Sequence, residues 1–264
     1  MGSTKQETET QAPPDGRTWR QYFPEGDLWV FGYGSLIWKP PPHYDQRVPG
    51  YIERYVRRFW QASTDHRGTP ELPGRVVTVI ERGFWETLDD PHAALEPTST
   101  NRVWGAAYHI PSSHAEEVHD YLDVREIDGY SVHYTPFHPF TTNSSTSGTS
   151  EEPSSPITCM VYIGQPTNPQ FLRDAARREP QDVAEVISRG HGQSGKNTEY
   201  LYLLEKALEG VGLGSADGHV TDLVKRVREI EGRGEAEREE EKAERDVRLS
   251  LSEGGKREDV DLTE

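Results

Sequence analysis

Apolar positions along this chain recur first in short blocks suited to strands and only later at the spacing of helices. Leu28–Tyr33, Tyr51–Gln61, Arg75–Glu81, Val103–Ile110, Tyr130–Phe137 and Ile157–Ile163 are rich in Val, Ile, Tyr, Phe and Trp. Gly, Pro, Asp or Asn bound them, which predicts six strands. Six strands ahead of the main helices predict a mostly antiparallel sheet or small barrel. One helix comes early, in "SHAEEVHDYLDVRE", where Ser113 and Glu116 read as a capping box and Ala115, Val118 and Leu122 share a face. Three more are predicted near the end. One runs from Pro180 through Ser188 and closes at Gly190, and one spans Asn197 to Glu209 with the stripe Leu201, Leu204, Ala207, Leu208. The last starts near Asp217 with the stripe Val220, Leu223, Val224, Val227, Ile230.

Outside these segments the pattern fades. Residues 1–26 are polar and proline-bearing, and "TTNSSTSGTSEEPSSP", Thr141–Pro156, has almost no side chain able to pack. Beyond Gly232 the helical stripe gives way to "EAEREEEKAERD", a solvated charged helix or a disordered tail. The expected organisation is a disordered extension over 1–26, one domain over 27–231 with a low-complexity surface insert at 141–156, and a charged, disordered tail over 232–264.

Charge and composition narrow the partners. The formal net charge is −16 over 264 residues, and the last 36, with fourteen acidic and seven basic side chains, supply −7 of it. An acidic chain repels nucleic acid and anionic membranes, and no stretch approaches the roughly 20 apolar residues of a membrane span. A small molecule is the expected partner; nothing in the sequence designates a protein partner. The N-terminal residues lack the apolar core of a signal peptide, and the single cysteine, Cys159, can form neither an internal disulfide nor a cysteine cage. A cytoplasmic setting is expected.

Two places could carry chemistry. "FGYGSLIW", Phe31–Trp38, is a glycine turn that fits neither a dinucleotide fingerprint nor a nucleophile elbow, because Ile37 stands where each would need glycine. Gly32 and Gly34 could serve only to bend a strand, or Tyr33, Gly34 and Ser35 could present amides to an anion. Continuing the Val118, Leu122 stripe by four reaches Glu126, a carboxylate where a core side chain belongs. It is either one half of an ion pair, with Arg125 or a strand arginine, or a general base with a raised pKa. Cys159 reads as core. His133 and His138 are too far apart for one strand face, and His66 beside Asp65 lacks a third ligand, so no metal or other cofactor is expected. Arg57, Arg58, Trp60 and Arg67 are expected to border a small anionic ligand's pocket, with Tyr200 as a neighbour, and the start of the "SGKNTEYLYLL" helix at Asn197 or Thr198 reads as a cap that also offers amides.

"VFGYGSLIWKP", "VPGYIERYVRRFWQASTDHRGTPELPGRVVTVI", "VWGAAYHI", "YLDVREIDGY" and "SGKNTEYLYLL" together resemble the ChaC family of glutathione-specific γ-glutamylcyclotransferases, over about residues 27–230. The resemblance implies an α+β fold, a small mostly antiparallel β-barrel with helices packed around it. It implies cleavage of glutathione to 5-oxoproline and cysteinylglycine without a cofactor. It also implies that Gly32, Tyr33, Gly34, Ser35, Leu36 and Ile37 bind the γ-glutamyl group and that Glu126 is the proton acceptor. The alternatives are a cyclotransferase acting broadly on γ-glutamyl amino acids, and a non-catalytic binding module.

Overall fold

The computed structural model describes residues 18–95, 101–126, 129–140, 155–210 and 217–254. Nine strands occur among them: β1 (Leu28–Gly32), β2 (Gln46–Glu53), β3 (Tyr55–Ser63), β4 (Gly74–Glu81), β5 (Arg102–Ile110), β6 (Ser131–Pro139), β7 (Ile157–Ile163), β8 (His191–Gly192) and β9 (Gly195–Lys196). The helices are α1 (Arg82–Trp85), α2 (Ser112–Arg125), α3 (Pro180–Arg189), α4 (Asn197–Gly210) and α5 (Gly218–Gly254).

Five strands close a barrel in the order β1-β5-β2-β6-β7. Its pairs are antiparallel apart from β1 with β7, where Val30 lies opposite Met160. The expected α+β barrel is therefore the observed one, with one parallel seam. The predicted run Tyr51–Gln61 is two strands. The chain turns at Arg54, in left-handed backbone with φ 71°, where its N–H bonds Asn101 O and its carbonyl accepts from Arg82 N. Strand-forming residues continue on both sides of that turn, so the pattern carries no mark of it. Past Arg54, β3 leaves the barrel and pairs with β4, with a register shift between Arg58 and Gln61 and an isolated bridge from Gln61 to Phe171. Residues on both faces of this hairpin are buried, because it lies between the barrel and α3, α4 and α5.

The main core joins barrel residues such as Phe31, Ile52 and Phe137 to Val183, Ile187, Leu201, Leu204, Leu223 and Val227 of the helical layer. A second core under α2 gathers Ala115, Val118 and Leu122 with Leu28, Val30 and Ile110. Trp19 and Phe23 are buried there too, so packing begins well before residue 27. In this otherwise polar stretch two aromatic rings are enough to pin a single turn.

Helix termini differ from the capping expected. The α2 N-cap is Pro111 with no side-chain cap; the first-turn amide of Ser112 is satisfied by Asp27 Oδ1 at 2.8 Å, from a loop distant in sequence. Asn197 directs its amide across to β4, where Oδ1 accepts from Arg75 N and Nδ2 donates to Arg75 O, both at 2.7 Å. A side chain thus serves as a strand partner for one residue. α5 continues as a charged helix to Gly254, where the expected organisation had a disordered tail from 232. The Ser/Thr-rich insert falls, over 141–154, outside the described residues.

Candidate active site

Where β1 leaves the barrel, Gly32 meets Leu36 so closely that an added Cβ would stand 2.6 Å from Leu36 Cβ. The chain then forms a single 3₁₀ turn over Ser35–Ile37, with Ile37 N bonded to Gly34 O and Trp38 N to Ser35 O. The Ser35 and Leu36 amides precede the first of these bonds. Gly34 has no room for a side chain: a Cβ would lie 2.8 Å from Val77 Cγ2 and 3.1 Å from the Tyr200 hydroxyl. Its φ is −130°, so close approach, and not left-handed backbone, is what requires glycine.

Glu126 stands opposite this turn. Its N–H still reaches Leu122 O at 2.8 Å, but φ −89° and ψ 54° take the chain out of α2 and turn the side chain inward. Two spaces share it as a wall. An outer cavity of about 420 Å³ is walled by Trp38, Lys39, Pro40, His66, Arg67 and Arg125 among others. An inner recess of about 30 Å³ is walled by Tyr33, Gly34, Ser35, Leu36, Tyr162 and Val77. Ser35, Glu126, Tyr130 and Tyr200 border both.

The structure thus brings Tyr33, Gly34, Ser35 and Leu36 together with Glu126. Gly32 and Ile37 flank the recess without lining it: Gly32 pairs with Ala106 in the barrel, and the Ile37 side chain is buried in the core.

Burial raises the Glu126 carboxyl above the usual glutamate value; the nearby charges of Arg125 and His66 oppose this. Its position at the C-terminal end of a helix works in the same direction as burial, since that end carries partial negative charge. Arg125 is a loose partner. Its Nε lies 3.4 Å from Glu126 Oε1, beyond the roughly 2.7–2.9 Å of a charge-assisted hydrogen bond. The guanidinium is instead spread between Lys39 O at 2.9 Å and Ser35 Oγ at 3.2 Å. The general-base and ion-pair readings of Glu126 therefore meet in one geometry, a desolvated carboxyl with an incompletely engaged cation.

His66 steadies the same corner. The Arg125 carbonyl can only accept, so Nε2 carries a proton and donates to it at 3.3 Å, while Nδ1 shares a hydrogen bond with the Ser194 hydroxyl at 2.9 Å. Tyr33 donates its hydroxyl to Tyr162 O at 2.6 Å, and Tyr130 donates to Val77 O at 2.8 Å. Burial, then the charge of Glu126, pushes the phenols of Tyr33 and Tyr200 upward, so both stay protonated donors.

Of the four residues expected around the pocket, Arg67 alone lines the cavity, holding Lys196 O at 2.8 Å with its guanidinium over the Tyr200 ring. Arg58 is buried against Asp90 at 2.8 Å, Arg57 is paired with Asp217 at 2.8 Å, and Trp60 lies in a separate core beneath Arg178. Tyr200 does line it, as expected. His66, Tyr130, Trp38 and Ser194 were not anticipated as site residues. His66 and Tyr130 lie inside the quoted blocks, but a lone histidine or tyrosine there carries no signal of direction. Cys159 is fully buried, and burial pushes its thiol well upward, as a core residue.

The fold is of a defined class, a mostly antiparallel barrel with helices packed around it, and comparison with known proteins gives its family. The family described as ChaC-like protein matches residues 28–230, and the chain belongs to that family. It is 42% identical over 209 residues to the glutathione-specific γ-glutamylcyclotransferase of Schizosaccharomyces pombe, covering 78% of this chain and 94% of that one. The Saccharomyces cerevisiae protein of the same name is 37% identical, with 74% and 91% covered. A crystal structure of the yeast γ-glutamylcyclotransferase specific to glutathione superposes with a TM-score of 0.67 at 35% identity, covering 77% of this chain and 96% of that one.

Proposed function

We propose that this protein is an enzyme of glutathione breakdown, a γ-glutamylcyclotransferase releasing 5-oxoproline and cysteinylglycine. The names of its relatives support the substrate, and one observation supports the mechanism: a desolvated carboxyl with a raised pKa on the wall shared by the outer cavity and the recess behind the glycine turn. The outer cavity falls within the range of about 300–1,000 Å³ found for small-molecule sites and would take the cysteinylglycine half.

The reaction needs no external nucleophile. The substrate's α-amine attacks its own γ-carbonyl carbon, forming the lactam C–N bond as the bond to the cysteinyl nitrogen breaks. Glu126 removes the proton the amine must lose and returns it to the departing nitrogen, so the carboxyl ends as it began. The amides beyond Gly34 and the phenol of Tyr200 would face the region where the oxyanion develops, and the glycine turn would hold the γ-glutamyl chain folded for attack. Gly32 and Ile37 act by shaping the turn. The same geometry would serve other γ-glutamyl compounds, so selectivity belongs to the outer cavity.

Incubating the purified chain with glutathione, and separately with γ-glutamyl-alanine, tests the reading. Equimolar 5-oxoproline and cysteinylglycine from glutathione, with little turnover of the second compound, is the expected result. Comparable turnover of both would establish the broader cyclotransferase, and no 5-oxoproline from either would leave a binding module.

A further inference from the structure

The outer cavity carries more positive charge than the proton transfers use. Lys39, Arg67 and Arg125 line it together with His66, and Glu126 is the one acid among its described lining residues, in a chain whose formal net charge is −16. Arg125 is engaged with Lys39 O, Ser35 Oγ and, loosely, Glu126, and Lys39 is exposed. Arg67 is different. Its side chain is only 5% exposed, yet Nη1 makes both of the guanidinium's hydrogen bonds, to Lys196 O at 2.8 Å and to Glu199 Oε2 at 3.1 Å. Nε and Nη2 have no acceptor among the described residues.

The residue is also fixed before any ligand arrives. Arg67 lies in the loop between β3 and β4, with its N–H on Ser63 Oγ at 3.1 Å, and the carbonyls of Asp65 and His66 before it accept from Gln193 N and Ser194 N, both at 3.0 Å. Its guanidinium carbon stands 5.5 Å from the centre of the Tyr200 ring. An ordered, planar fork with free donors suits a carboxylate met by two parallel N–H bonds. Glutathione has two carboxylates: one beside the α-amine, which goes with the γ-glutamyl group to the glycine turn, and one at the end of the cysteinylglycine half. Those two residues span at most about 7 Å. A substrate whose γ-carbonyl oxygen meets the Tyr200 hydroxyl thus brings its glycine end within reach of the guanidinium over the same ring, and a γ-glutamyl dipeptide, one residue shorter, falls short of it. We propose that Arg67 binds the free carboxylate of the glycine residue and so selects the tripeptide. The proposal rests on the cyclotransferase reading above and names the residue that would separate its glutathione-specific form from the broader one.

The test measures 5-oxoproline release by the full chain from glutathione and from glutathione whose glycine carboxylate is a primary amide, a neutral group of nearly the same size. Wild-type kcat/KM should be about ten- to hundredfold lower for the amide, mainly through KM. Arg67→Met should lower kcat/KM for glutathione by a similar factor and leave the amide within about twofold of its wild-type value, which erases the preference. Arg67→Lys keeps the charge and loses the fork, so it should recover part of the preference. The wild-type comparison reports even if the Arg67→Met chain misfolds. Equal turnover of the two substrates by the wild type, or a loss in Arg67→Met that is the same for both, would overturn the assignment and leave the cyclotransferase reading standing. No 5-oxoproline from either substrate would overturn that reading, and this one with it.

Discussion

Two of the buried polar clusters among the described residues are built on opposite principles. The first lies where α1 and the segment after it meet β3 and α5. Asp90 accepts from Arg58 Nε at 2.8 Å, Trp85 Nε1 at 2.7 Å and His92 N at 2.9 Å. His219 Nε2 accepts from Phe59 N at 3.0 Å, so in its neutral form Nδ1 carries the proton and donates to His92 Nδ1 at 2.7 Å. That leaves His92 Nε2 to donate to Asp222 at 2.8 Å. The direction of every proton in this chain follows from its first link. The second cluster surrounds Glu126, where the carboxyl and its nearest guanidinium stand apart and the intervening space opens into a cavity. Burial is costly for both. In the first cluster internal hydrogen bonds offset the cost and the return is rigidity; in the second the cost persists as a raised pKa, which is the property a general base requires.

The sharpest break in that comparison is Glu126→Gln. The amide keeps the shape and loses the basicity, so 5-oxoproline release should fall by about 10⁴ or more, since one group is asked to act in both proton transfers. The melting temperature should hold or rise, because a neutral group replaces a desolvated acid. A destabilised variant that still turns over would show Glu126 to be a structural ion-pair partner. Asp90→Ala should do the reverse. Removing the carboxylate leaves Arg58 buried without that partner and should cost about 3–5 kcal/mol in denaturant melts, with near-normal turnover per folded molecule. An unstable and inactive protein at temperatures well below its melt would mean that the two clusters are coupled.

Acid separates the clusters by sign. Burial lowers the pKa of both His219 and His92, so their contribution to stability is complete above the unfolded value near 6.5 and is lost as pH falls below it. Each ring can cost up to about 1.4 kcal/mol per pH unit in that range. Unfolding free energies from pH 7.5 to 5 should therefore fall, and the slope should flatten in a His219→Gln variant. Glu126 is raised, so it acts oppositely: its protonation favours the fold but removes the base. The acid limb of kcat/KM should sit above the ordinary glutamate value of 4.5. A limb at or below that value, in protein that remains folded, would deny Glu126 the role of base.

The smallest expected effect is at Gly34. Alanine there presses on the Tyr200 hydroxyl and Val77 and should reduce kcat/KM roughly tenfold, about 1.4 kcal/mol of transition-state stabilisation, with a smaller effect on melting. Equal losses of stability and activity would make the turn a barrel corner and nothing more.

Much of this was legible before any coordinates. Strand composition fixed five of the six predicted strands to within a residue or two, because their Val, Ile and aromatic side chains suit buried extended chain, in the barrel or, for β4, in the hairpin beside it. The stripe that ran from Val118 and Leu122 to Glu126 was informative because a carboxylate interrupted it, and the quoted blocks carried the family. The turn at Arg54, the caps of α2 and α4, and the packing of Trp19 were not legible. Each depends on a partner far along the chain, Asn101, Asp27, Arg75 or His119, and local pattern has no term for such a partner.

What the sequence determined by itself is the set of local preferences: which residues form strands, which face of each helix is apolar, and which carboxylate does not fit its stripe. Those follow from side-chain shape and periodicity and need no neighbours. Only the tertiary structure decided which of several buried arginines faces a cavity, that β3 and β4 leave the barrel, and that His43 meets His114 across 71 residues of chain. The difference is physical. A buried charge takes its role from what surrounds it, and in this fold those surroundings are assembled from segments that are remote in sequence.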